Sequence, residues 1–207
     1  MPIDIKKSCI DLLAFPGHKA LLGPPGTGGL YVRNGVELKP WREGGTGVDS
    51  ISPTQPTDMP FWLEAGTPNT VGIIGLKEGI AFITEKGTET IWKHEIELVD
   101  RLIQQLIDDT RFEIYGSKDA RKQMGCISIN IKGMKPEIVG TRIDEIANIA
   151  VRAGLHCSPY IHRKIGTFPQ GTVRISPGFF NSAEEIDATV KTLYKIAGKT
   201  GVIPFSP

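Results

Sequence analysis

The sequence predicts an α/β chain in two parts, with strands and glycine loops up to about residue 87 and an α+β unit after it. Three observations predict this. The apolar run Ile10 to Phe15 stops on Pro16-Gly17, as a short buried strand does. Ile127, Ile129 and Ile131 alternate with Ser128 and Asn130, the period of a half-buried strand. Trp92, Ile96, Val99, Ile103 and Leu106 recur at steps of four and three, the stripe of a core-facing helix.

After the strand at 10–15, a Gly/Pro-rich loop over 17–29 leads to a second strand at Leu30-Tyr31-Val32-Arg33, and Asn34-Gly35 signals a turn. Residues 38–69 carry many Gly, Pro, Ser and Thr with little periodicity and read as an irregular, functional loop region. A helix should begin at Asn69 or Thr70, with Val71, Ile74, Ile80 and Ile83 on one face, and stop at Gly87. The striped helix spans about 88–108. Strands follow near 112–115 and 124–131, and Pro136 fits the first turn of a helix running to about Ile149. Val151-Arg152 and Thr172 to Ser176 read as short strands. Ser182 and Glu185 form a capping box for a last helix, whose apolar face is Ile186, Val190, Leu193 and Ala197.

Composition narrows the function classes. In 207 residues, 40% are hydrophobic and 23% charged, an ordinary globular balance. A net charge of +1 gives no electrostatic reason to expect nucleic acid or an anionic membrane as partner. No apolar run approaches the roughly 18 residues that span a bilayer. Cys9, Cys126 and Cys157 are three cysteines without CxxC spacing, so a reduced, cytoplasmic setting is the default. Cys9 and Cys126 are assigned to core packing.

Gly23-Pro24-Pro25-Gly26-Thr27-Gly28-Gly29 approaches a phosphate-binding ATPase loop, but Gly29 and Leu30 stand where that loop needs Lys and Ser/Thr. It should also open a helix, whereas a strand follows. Tight turning between two strands explains the glycines better. Lys19, in Gly17-His18-Lys19, follows a predicted buried strand; desolvation there would suit Schiff-base chemistry, while a plain surface lysine is the simpler reading. Cys157 follows Arg152 and His156 closely, and both could favour a thiolate, or the cysteine could be a small core residue. His156, His162 and one thiol match no common metal site. Arg174, within Thr172-Val173-Arg174-Ile175-Ser176, either exits to solvent or offers a fork to a carboxylate. Glu64 to Asn69 precedes a helix and is either a cap or a phosphate site.

The order of these segments is more specific than any one of them. DLLAFPGHKALLGPPGTGGLYVR, EAGTPNT, RAGLHC and GTVRISPGFFNSAEEID resemble, in order and spacing, the cysteine desulfurases and their class V aminotransferase relatives, which are pyridoxal-phosphate enzymes of fold type I. The resemblance covers essentially the whole chain. It implies that residues 1–87 are the C-terminal part of a large cofactor-binding domain and residues 88–207 a small C-terminal α+β domain. It implies that Lys19 carries pyridoxal 5'-phosphate covalently and moves a proton within the substrate adduct, and that His18 contacts the phosphate region. Thr67 would reach the phosphate of the neighbouring subunit in a homodimer. Arg174, with Arg152 nearby, would hold the substrate carboxylate, and Cys157 would take sulfur from L-cysteine, leaving L-alanine and an enzyme persulfide for an acceptor protein. Pro16 departs from the pattern, standing where many relatives carry a hydroxyl residue on the phosphate. The family also has a preceding half of similar length, which the sequence is expected to lack. Other lyases or aminotransferases of the family, a selenocysteine lyase, and a catalytically silent interaction module remain alternatives.

Overall fold

The computed structural model describes residues 3–45, 47, 49 and 51–198. They divide into two compact units, residues 1–88 and 89–207.

The first unit is built on an antiparallel ribbon of β1 (Leu12–Pro16) and β2 (Gly28–Val32), in which Leu12 pairs with Val32 and Pro16 with Gly28. Asp11 and Arg33 close its open end, with the Arg33 amide donating to the Asp11 carbonyl at 2.8 Å and the side chains paired at 2.6 Å. The sequence predicts a buried β1, but Leu12 is 46% and Phe15 39% exposed, because no described layer of this chain covers the ribbon face. Cys9 likewise departs from its expected core position. It lies exposed in a turn, at a positive φ of 50°.

Helix α1 (Thr70–Lys86) begins where expected. The Asn69 side chain accepts from the Gly72 amide, and Gly87 ends the helix at φ 80°. Its inward face, however, differs from the predicted one. Val71 is 82%, Ile74 57% and Ile80 43% exposed, while Gly72 and Gly79 are buried. The 17–29 loop packs directly on the helix: a Cβ on Gly75 would meet Pro24, and one on Gly79 would overlap the Leu21 carbonyl, whereas Gly72 lies under the Asn69 cap.

The second unit stacks helices on one face of a sheet. Helix α2 (Thr88–Leu106) leads to β3 (Phe112–Tyr115), β4 (Ile127–Ile131), α3 (Pro136–Ala147), β5 (Arg152–Gly154), α4 (Pro159–Lys164), β6 (Thr172–Ile175) and α5 (Ala183–Ala197). The sheet order is β3-β4-β6-β5, antiparallel throughout. Period-two geometry gives this sheet two chemically different faces. Ile127, Ile129, Ile131, Val173 and Ile175 point into a core shared with Val99, Leu102 and Ile103 of α2, Val139 and Ile143 of α3, and Val190, Leu193 and Ile196 of α5. Each such side chain contributes about 1.5–3 kcal/mol when fully buried. The capping box of α5 is present, with the Ser182 amide bonded to Glu185 at 2.9 Å and the Glu185 amide to Ser182 Oγ at 3.3 Å. Cys126 sits just before β4 and is half-buried, so it is not a full core residue. Among the described residues no helix is long and apolar enough to cross a membrane.

Candidate active site

The opposite face of the second unit's sheet is polar, and it collects chemistry from all four strands. Register places Arg152 of β5 beside Arg174 of β6, and Arg174 beside Ser128 of β4. Tyr115 of β3 pairs with Ser128 in the same row. Asn130, two residues along β4, donates from Nδ2 to the Gly171 carbonyl at 3.2 Å and to the Tyr115 hydroxyl at 3.4 Å.

Cys157 joins this face through an unusual corner. After β5 the chain passes through His156 at φ 52° and Cys157 at φ 61°, two consecutive residues in the left-handed region. That conformation is disfavoured for residues with a Cβ and marks a place the surroundings over-determine. The corner turns the Cys157 sulfur back along β5, where the Arg152 Nη2 donates to Sγ at 3.3 Å. In a straight strand, residues five apart lie about 17 Å from one another and on opposite faces, and could not meet this way. Cys157 is exposed, so its sulfur is open to a reaction partner as well as to Arg152.

His156 is held inward instead. Its Nε2 shares a 3.1 Å hydrogen bond with Thr172 Oγ1. Burial pushes the His156 imidazole below the ordinary histidine value, and the nearby Arg174 cation pushes it the same way. His156 is therefore neutral at pH 7. Three buried polar atoms here have no partner among the described residues: His156 Nδ1, Arg174 Nε and Asn130 Oδ1. A donor–acceptor set of this kind, left open on a cationic sheet face, can take an anionic ligand with polar substituents.

The first unit carries the other sequence-predicted residues. Gly17 to Gly29 is a closed loop: the Gly17 amide donates to the Thr27 carbonyl at 2.8 Å, the Gly23 amide to the Gly17 carbonyl at 2.8 Å, and Thr27 Oγ1 to the Pro24 carbonyl at 2.6 Å. Gly26 takes φ 80°, and the Phe15 ring lies over Gly29 on the paired strand. These glycines serve backbone packing, with β2 and no helix following them. His18 and Lys19 sit on the turn at the loop's start, both exposed, and no described residue bonds their side chains. The desolvation expected around Lys19 is thus not supplied by the described part of this chain. Thr67 is also exposed, two residues before the Asn69 cap of α1.

The structure therefore brings Arg152, Cys157 and Arg174 to one sheet face and places His18, Lys19 and Thr67 in the other unit. Thr172, Asn130 and Thr167 escaped the sequence reading. Thr172 stands two residues before Arg174 on β6, and Asn130 two residues past Ser128, the partner of Arg174, so both lie on the arginines' face, a signal visible only once strand pairing is known. His162 was weighed only as a metal ligand, whereas it is a buried residue bonded to Thr167.

Comparison with known proteins identifies the family. The family model for class V aminotransferases matches residues 1–189. A probable cysteine desulfurase of Methanothermobacter thermautotrophicus is 37% identical over 203 residues, covering 96% of this chain and 50% of that protein. A cysteine desulfurase of Salmonella agona is 35% identical, covering 94% of this chain and 47% of that protein. Among solved structures, the cysteine desulfurase of Thermococcus onnurineus superposes with a TM-score of 0.85 at 35% identity, covering 96% of this chain and 50% of that one. The desulfurase CsdA of Escherichia coli gives 0.82 at 29% identity, covering 94% and 48%. The chain spans about half the length of the curated relatives it matches, and over that span it has the fold of these enzymes. On the strength of a match along nearly all of its length, the chain belongs to the class V aminotransferase family.

Proposed function

We propose that this chain contributes the nucleophile and substrate clamp of a pyridoxal-phosphate-dependent cysteine desulfurase, which converts L-cysteine to L-alanine and retains the sulfur as a persulfide. The observation that carries the proposal is the exposed Cys157 sulfur, turned by a left-handed corner onto Arg152 and beside the Arg152–Arg174 row. In this reading residues 1–87 are the C-terminal part of the cofactor-binding domain and residues 88–207 the small domain.

The residues present fit the cofactor. Lys19 offers an exposed primary amine with no bonded partner among the described residues, on a loop held in place by its backbone. His18 beside it, and Thr67 before a 17-residue helix, would serve the phosphate, Thr67 across a homodimer interface. The group, when bound, supplies an electron sink for carbanion chemistry at the substrate. Lys19 would hold the cofactor and move a proton at its Nζ. Arg174, with its unpartnered Nε, would take the substrate carboxylate, and Arg152 would add a second cation and steady the sulfur of Cys157.

The sulfur step balances on Cys157. Its thiolate forms an S–S bond to the substrate sulfur while the substrate C–S bond breaks; the electron pair stays with carbon, which takes a proton to become the alanine methyl. The persulfide then passes to an acceptor protein. The reaction is assigned to the cytoplasm, where thiols stay reduced.

The test adds pyridoxal phosphate to the chain, reduces with borohydride and locates the modified lysine by mass spectrometry. Labelling confined to Lys19, and lost in Lys19→Ala, is expected. Labelling spread over surface lysines would refute the role of Lys19. In an enzyme that completes the fold, Cys157→Ser should abolish persulfide yet keep the lysine linkage; persulfide formed by that variant would exclude Cys157 as nucleophile.

A further inference from the structure

The scheme above leaves one buried histidine of the second unit without a task. His162 lies on α4, five residues past Cys157, and is only 4% exposed. Its Nδ1 shares a 2.7 Å hydrogen bond with Thr167 Oγ1, itself buried. Its carbonyl accepts from the amides of Thr167 at 2.9 Å and Phe168 at 3.2 Å, so the loop after α4 closes on this one residue. A leucine would fill similar space without needing a buried hydroxyl partner. A polar ring at this depth requires its hydrogen bond, and the bond in turn fixes the ring plane.

That ring faces the corner beside Cys157. The His162 and His156 rings lie 5.5 Å apart between centroids, inclined at 49°. His156 is consequently gripped from two sides, by Thr172 at Nε2 and by the His162 ring. Cys157 itself is exposed and cannot enforce its own left-handed backbone. The constraint has to come from its neighbour.

We propose that His162 is a positioning residue for Cys157: fixed by Thr167, it clamps His156, and so maintains the corner that sets the sulfur against Arg152. The proposal rests on Cys157 being the nucleophile and adds the device that aims it. Fixing the residue behind a nucleophile lowers the entropy lost in reaching a reactive geometry. His162 touches none of the reacting atoms in this scheme.

The experiment labels the 207-residue chain with limiting iodoacetamide, a neutral reagent, and reads the rate at each cysteine by mass spectrometry. Exposed Cys9, in the other unit, is the internal control. In the wild type, Cys157 should label faster than Cys9, and its advantage should shrink with salt, which screens the Arg152 cation. Thr167→Val removes one hydroxyl, and His162→Phe removes Nδ1 while keeping a ring. Each should lower the Cys157-to-Cys9 ratio roughly fivefold, the worth of one well-made hydrogen bond, and erase the salt dependence. His162→Asn, whose amide can still bond Thr167, should restore much of the ratio. Variants that melt earlier but keep both the ratio and the salt dependence would make His162 a packing residue only and overturn the proposal. Should His162→Phe fail to fold, Thr167→Val decides alone by the same two readouts. Wild-type Cys157 labelling no faster than Cys9 would remove the nucleophile reading and the positioning role together, an outcome distinct from variants that merely match an activated wild type.

Discussion

Gly171→Ala should destabilise the second unit far more than Gly133→Ala, although both glycines have nearly the same backbone. Gly133 takes φ 78° in the turn after β4 and Gly171 takes φ 80° just before β6. An alanine in the left-handed region costs about 1–2 kcal/mol at either site. Around Gly133 a Cβ would meet nothing within 4 Å, so that cost stands alone. At Gly171 the added carbon would overlap the carbonyl and Cα of Gly154, backbone atoms of β5 that cannot rotate away. Relief requires β5 and β6 to separate, an overpacking cost of about 1–3 kcal/mol in addition. The expected losses are thus about 1–2 kcal/mol for Gly133→Ala and about 2–5 kcal/mol for Gly171→Ala. Urea unfolding followed by hydrogen exchange in the β6 and α5 peptides reads this unit separately from the first. Equal losses in the two variants would refute the reasoning, since they would mean that β5 and β6 part without resistance.

Two further expectations concern pH. Asp187 is held at about 2 by a two-pronged bond from Arg101 and by Gln105, and Asp109 is held at about 2 by Arg111. A folded value below the unfolded one, about 3.9, means that this stability is complete above that pH and is lost as pH falls toward 2. Asp187→Asn should flatten that acid limb, and an unchanged limb would show that the pair contributes nothing. For His156 the lowered value has the same sign by a different route, because the folded state resists protonation that the unfolded chain accepts near pH 6.5. Stability should fall as pH drops below about 6.5 and then level out beneath the folded value. His156→Asn should remove that step, and a step of equal size in the variant would assign it to another group.

Local chemistry made much of the second unit legible. Helix α5 could be read because both members of its capping box lie within four residues, and β4 because alternation needs only its own five residues. The strand order β3-β4-β6-β5 could not, since nothing near Arg152 in sequence announces Arg174 as its partner. Helix α4 was missed because six residues give too little periodicity, and its defining feature is a bond from His162 to a later loop. Helix α1 was found but turned the wrong way. Branched apolar residues usually mark the inward face, yet here Gly75 and Gly79, four residues apart, carry the loop contact. The spacing of those glycines was available as a signal and points to close backbone approach. For the site, the resemblance offered candidate residues, while the left-handed corner that joins Cys157 to Arg152 could not be read from the sequence.

The glycine seam of α1 separates two kinds of tolerance in the Lys19 loop. Its anchor points are main-chain atoms of Leu21, Leu22 and Gly17 together with Pro24, met by bare helix backbone and the side chain of Leu76. The side chains of His18, Lys19 and Ala20 take no part in that seating and face outward. Under the role proposed for Lys19, reactivity at this turn can therefore be redesigned, by exchanging the amine's immediate neighbours, without unseating the scaffold that carries it. A methyl group added to the helix at Gly79 would do the reverse, leaving every reactive group intact while shifting the platform beneath them.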